Sequence, residues 1–304
     1  MIPLIAVIGA AALAGYGAEF RFRSGAERLA RRLMWIVLWV LMPIIAFFNI
    51  ASLHVDAHVG AGIGFGWIAI CVTLAVAYVV GTRLLHLPRP SVGALMAVSV
   101  FGNTAFLGLP FTVALFGFDD LGAAVAYDNL VSTPAFVTLG FSVGAAFGAI
   151  GGGVRERVLG FLTRNPPLWA ALAGLVAPDV LAPDVLVDAS RVIALAILPI
   201  GFFAVGVTLA AEAEEGTSRF PPPLGAPVAC AVALKLLLPP LIVLSLSRLL
   251  IDVPDVYLSQ AAMASAINNL VVAHEFELDR GLVAAAIAWS TAVVVPVGAL
   301  VALL

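Results

Sequence analysis

Of 304 residues, 62% are hydrophobic and 11% charged, and the mean hydropathy is +1.12. So little polar surface cannot cover a water-soluble globule, so the chain is expected in a bilayer. A formal net charge of −3 gives no reason for a nucleic-acid partner. The stretches between apolar runs, about 14 to 18 residues at most, leave no room for a nucleotide-driven engine.

Windows of about 20 apolar residues mark bilayer-length helices. In chain order they fall at 2–18, 33–52, 59–81, 91–117, 121–148, 166–178, 189–211, 224–249, 256–274 and 280–303, ten in all. Met1 runs into apolar sequence with no basic region before it, so residues 2–18 are expected to be a first span and not a cleaved signal. Cys71 and Cys230 sit inside apolar runs and are expected to pack as small hydrophobes.

The arginines orient this plan. Arg21, Arg23, Arg28, Arg31, Arg32, Arg83, Arg89, Arg155, Arg157, Arg164, Arg219 and Arg280 all fall on one side of a ten-span chain, and only Arg191 and Arg248 on the other. The positive-inside rule then puts both termini outside the cytoplasmic membrane.

Leu41–Leu53, LMPIIAFFNIASL, aligns with Ile197–Leu209, ILPIGFFAVGVTL, pairing Pro43 with Pro199 and Phe47 with Phe203 at an offset of 156. Asp120-Leu121-Gly122 matches Asp279-Arg280-Gly281 at an offset of 159. Two similar offsets divide the chain into a first five-helix repeat (1–148), a cytoplasmic linker (149–165) and a second repeat (166–304). With five spans per half, the second copy enters the membrane from the opposite side, an inverted repeat of the kind many secondary transporters use.

Within the fourth span, FGNTAFLGLP places Asn103, Thr104, Gly108 and Pro110 at membrane depth. Polar groups there cost several kcal/mol unless partnered, about the scale at which they are seldom accidental. Pro110 blocks a helical hydrogen bond, so with Gly108 it is expected to break the helix. The ninth span carries Ser265, Asn268 and Asn269 at similar depth; neutral amides suit a carboxylate in one orientation and a small cation in the other. Successive residues on a helix point about 100° apart, so Asn268 and Asn269 are not expected to face one cavity together. Lys235, the single lysine, lies deep in the eighth span and is read either as a charge for substrate or coupling or as a structural partner of Asp128. Asp128, with Asn129, Ser132 and Thr133, is a candidate proton carrier or cation ligand.

Other clusters carry less. His274-Glu275 lacks the second histidine of a zinc-protease helix, since Leu278 stands there. His54, Asp56 and His58 alternate on a short loop and are expected to be a solvated turn. Gly60, Gly62, Gly64 and Gly66 suit close helix packing. No metal site and no enzymatic nucleophile–base pair is expected.

The chain resembles the auxin efflux carrier family, which includes malate permease-like and PIN-type transporters. The resemblance rests on FGNTAFLGLP, on Asn165-Pro166-Pro167, on Leu198-Pro199 followed by Gly206, on Lys235 with Pro239, and on AINNLVVAHEFELD running into Ala284 to Thr291. It implies an all-α integral membrane protein of ten transmembrane helices, built as two inverted five-helix repeats with a scaffold part and a transport part. It further implies interrupted helices 4 and 9 crossing at the substrate site, elevator-like movement, and export or exchange of small organic anions such as dicarboxylates or auxin-like carboxylates. Where the family usually has a proline in the ninth helix, Ala264-Ser265 stands here, so that break would rest on unwinding around Ser265 and the two asparagines. The expected partners are the anion, the bilayer and, as one option, a second copy in a homodimer. Coupling to Na+ or H+ stays open, with no bound cofactor. The rival reading is a ligand-gated channel or membrane sensor on the same fold.

Overall fold

The computed structural model describes residues 2–53, 56–148, 166–214 and 222–301, all helical apart from turns and the connections between helices. The linker 149–165, with Arg155, Arg157, Arg164 and Asn165, lies outside the described residues, as do His54 and Arg219.

The helices, in chain order, are α1 (Ile2–Phe22), α2 (Ser24–Ala51), α3 (Ala57–Leu84), α4 (Arg89–Val100), α5 (Thr104–Leu115) and α6 (Leu121–Phe147). After the linker come α7 (Pro166–Leu175), α8 (Asp184–Glu214), α9 (Ala226–Leu249), α10 (Asp255–Ala261), α11 (Asn268–Glu275) and α12 (Arg280–Val301). Six of them are long and apolar enough to cross a bilayer: α2, α3, α6, α8 up to Ala204, α9, and α12 up to Gly298. The expected ninth span is divided between α10 and α11, and the fourth between α4 and α5.

One expectation is corrected near the start of the chain. The arginine-rich stretch 21–32, expected to lie between the first two spans, belongs to the helices themselves: only Arg23, at φ 41°, separates α1 from α2, and Arg28, Arg31 and Arg32 lie on α2. An i,i+4 pair, Arg31 to Glu27 at 3.2 Å, lies along its exposed face. Charge misleads there because a helix with one apolar face tolerates arginines on the other.

Several helix starts are legible locally. Asp56 has extended backbone and its carboxylate accepts from the Val59 amide at 2.9 Å, the N-cap arrangement that satisfies an otherwise orphaned donor. Pro88 and Pro254 precede α4 and α10, and the Asp279 carboxylate accepts from Leu282 at the start of α12. His58 is held on the Asp252 carbonyl at 2.7 Å, so the expected solvated turn is tied to the loop after α9.

Two groups of helices pack closely among themselves, with one hydrophobic core running through both. In the first, α1 lies along α8, α7 along α2, and α2 against α8. Small residues bring these backbones together: a Cβ added at Gly15 would lie 2.0 Å from the Phe203 carbonyl oxygen, and one at Gly174 would lie 2.7 Å from the Phe47 carbonyl oxygen. In the second set α9 packs on α3 and α4, with α12 against α9 and α4. Of the four glycines between residues 60 and 66 in α3, Gly62 meets the Tyr257 ring and Gly66 meets Val131 and Tyr127, whereas Gly60 and Gly64 face open space.

Candidate functional site

Between α4 and α5 the chain leaves helical geometry at Phe101, Gly102 and Asn103. The break therefore lies ahead of Gly108 and Pro110, which corrects the expectation that those two residues form it. Both sit inside α5, whose first turn, Thr104–Gly108, is a wide π turn running directly into Leu109–Leu115. A π turn absorbs the hydrogen bond that a proline cannot make, so Pro110 continues the helix. Gly108 serves packing instead: an added Cβ would lie 2.3 Å from Gln260 Oε1.

The second interruption covers residues 262–267, between α10 and α11, and forms without a proline. The two interruptions satisfy each other. Gly102 and Ser265 form an antiparallel bridge; the Asn103 amide donates to the Ala264 carbonyl at 2.7 Å and the Ala266 amide to the Phe101 carbonyl at 2.9 Å. Ser265 Oγ donates to the Val98 carbonyl at 2.6 Å, its amide donates to Ser290 Oγ at 3.0 Å, and Asn269 Nδ2 donates to the Phe101 carbonyl at 3.3 Å. Backbone groups released by broken helices must find such partners inside an apolar interior.

A cavity of about 80 Å³ opens beside this bridge, lined by Asn103, Thr104, Asp128, Ser132, Thr133 and Asn268 among others. That is room for several waters or a small ion. Its walls include the first residues of both α5 and α11, where the helix dipoles favour an anion. Asn103 Oδ1 accepts from the Phe106 and Leu107 amides at 3.2 and 3.3 Å, capping α5. Thr104 Oγ1 donates to Asp128 Oδ1 at 2.5 Å. Asn268 is exposed toward the cavity, while Asn269 is fully buried behind it, as the helical angle between neighbours requires.

Lys235 lines a second, smaller cavity, shared with Gly102, Thr104, Ser132, Gln260 and Ala261. It is 2% exposed, and its ammonium donates to the Ala261 carbonyl, the last of α10, at 2.9 Å. Among the described residues no ion pair joins it to Asp128. Phe101, Gly102, Thr104 and Ser132 line both cavities, so the buried cation and the buried carboxylate flank one unwound segment.

Sequence reasoning misses Gln260 and Ser290. Gln260 is 1% exposed, its Nε2 donating to Thr112 Oγ1 at 3.1 Å while Oε1 has no partner. A glutamine one residue before the end of α10 is a readable signal, being polar at membrane depth. Ser290 gives none, as a serine in a long apolar helix has its own turn to bond to.

Long apolar helices, two of them interrupted where polar side chains surround a cavity, define the class of multi-pass membrane transport proteins. Residues 154–301, just under half of the chain, match the family model described as membrane transport protein, in keeping with the auxin efflux carrier family that its motifs resemble. It is 26% identical over 301 residues to an uncharacterized transporter of Methanocaldococcus jannaschii, covering 94% of each chain. It is 30% identical over 197 residues to an uncharacterized transporter of Methanothermobacter thermautotrophicus, covering 62% of this chain and 60% of that one.

Proposed function

We propose that this protein is a secondary carrier of small organic anions, such as dicarboxylates or auxin-like carboxylates, and not an enzyme. It works by alternating access of the elevator type, binding substrate where interrupted helices 4 and 9 of a ten-span inverted repeat cross. The observation that carries this reading is the cavity at the amino ends of α5 and α11, with Asn103, Thr104 and Asn268 on its walls. Helix amino ends and neutral amides together suit a carboxylate.

The inverted repeat draws support from reciprocal packing. Gly15 of α1 lies against Phe203 of α8, and Gly174 of α7 lies against Phe47 of α2. Phe47 and Phe203 are the pair matched by sequence at an offset of 156, and Gly15 and Gly174 are separated by 159, the offset of the second sequence match. In this reading α1, α2, α7 and α8 form the scaffold, and the remaining helices move with the site. The termini lie outside the cytoplasmic membrane.

Ser265 and Asn269 hold the unwound backbone, Gly108 lets α10 pack close beside it, and Lys235 contributes a fixed positive charge. Asp128 sets the coupling. A carboxylate substrate within about 5 Å of an ionised Asp128 would be repelled by about 3 kcal/mol at an effective dielectric of 20, so the anion enters with a proton on Asp128. Transport is then proton-coupled.

Proteoliposomes decide the matter. Saturable uptake of a labelled dicarboxylate or indole acid, accelerated by unlabelled anion inside, is the expected result. Current that follows voltage without saturation or counterflow would instead make the protein a channel.

A further inference from the structure

The Lys235 ammonium donates to one backbone carbonyl and shares a small cavity with several other oxygen-bearing side chains. Its hydrogen bond is to the carbonyl that ends α10, the negative end of a half-helix. Around the same small cavity lie Thr104 and Ser132, whose hydroxyls have lone pairs to offer, and Gln260, whose Oε1 is buried and unpartnered. Pro239, also on the cavity wall, has no amide to offer the Lys235 carbonyl one turn back. Gly102 allows the approach, since an added Cβ would stand 3.2 Å from the Lys235 ammonium nitrogen. An unpaired oxygen and a half-helix carboxyl end, buried together, are what transporters use to coordinate a coupling cation. Here a tethered cation fills that place.

We propose that Lys235 is a built-in substitute for a monovalent metal ion at this point, so that the protein needs no sodium and becomes sodium-responsive when the side chain is shortened. The inference rests on the crossing-helix carrier reading, but its test needs no substrate, so the two fail separately. Asp128, on the wall of the larger cavity and not of this one, remains available to carry the proton.

The experiment compares melting temperatures of the purified protein in sodium, potassium and choline chloride at equal ionic strength, for the wild type, Lys235→Ala and Lys235→Gln. The wild type is expected to melt at one temperature in all three salts. Both variants are expected to melt lower in choline and to regain about 3 °C in sodium, the scale of a ligand that binds the folded state alone. Lys235→Arg, which keeps the charge, is expected to stay indifferent to sodium. A sodium-specific rise in the wild type overturns the proposal, and so do folded, monodisperse variants that ignore sodium. Should Lys235→Ala not fold, Lys235→Gln and the wild type decide between the same two outcomes.

Discussion

The amide of Asn103 donates to the carbonyl of Ala264 at 2.7 Å, joining two interruptions that lie 161 residues apart in the sequence. Neither break is stable alone, because each leaves backbone groups in an interior where water cannot reach them. Together they form a short antiparallel bridge, and the side chains beside it are held rigidly enough to define a cavity.

Asn103 has two tasks, as cap of α5 and as cavity wall. Asn103→Ala is expected to lower stability by about 1 kcal/mol through loss of the cap, and to abolish transport. Asn103→Ser can still cap, so it should recover most of the stability without recovering full uptake. Thermal melts and proteoliposome uptake on the same preparations separate the two effects.

The neighbouring asparagines are expected to behave differently. Asn268→Ala, at an exposed position on the cavity, should weaken anion binding with little change in melting temperature. Asn269→Ala leaves the Phe101 carbonyl short of a partner in a fully buried site and should cost about 1–3 kcal/mol of stability. Equal melting temperatures for the two variants would count against this division.

Within α3, packing gives a contrast that needs no substrate. A Cβ at Gly62 would stand 2.0 Å from the Tyr257 ring, while one at Gly64 meets nothing within 4 Å. Gly62→Val is expected to destabilise by about 1–3 kcal/mol and Gly64→Val to be near neutral. A thermal melt of each variant checks it.

Asp56 gives a pH prediction outside the membrane. The Val59 amide holds its carboxyl below the ordinary value of 3.8. A lowered value in the folded state means that its contribution is present above the unfolded value and is lost as pH falls through the folded one. The melting-temperature gap between wild type and Asp56→Ala should therefore be full at neutral pH and close as pH drops below 3.8. A gap that widens in acid would contradict the capping role.

Much of the site is legible in the sequence because polar residues inside apolar runs are expensive. Asn103, Thr104, Ser265 and Asn268 stand out on that ground alone, and the structure brings them to one place. The position of the first break is not legible. Pro110 has the chemistry of a breaker, but a proline can be absorbed by a π turn, whereas the pairing of Phe101–Asn103 with Ala264–Ala266 depends on residues far away in the chain. Lys235 is visible as an isolated charge, yet its partner is a backbone carbonyl, which has no sequence signature. The arginines of 21–32 fall outside the apolar windows for a similar reason: one face of a helix hides from a count of charges.

A thermal-shift titration with dicarboxylates and indole acids, run on the wild type, Asn268→Ala and Asn103→Ser, tests the central claim most directly. At least one anion is expected to raise the melting temperature of the wild type, with the response lost in Asn268→Ala and weakened in Asn103→Ser. An anion that stabilises all three equally would place the binding site elsewhere and contradict the account.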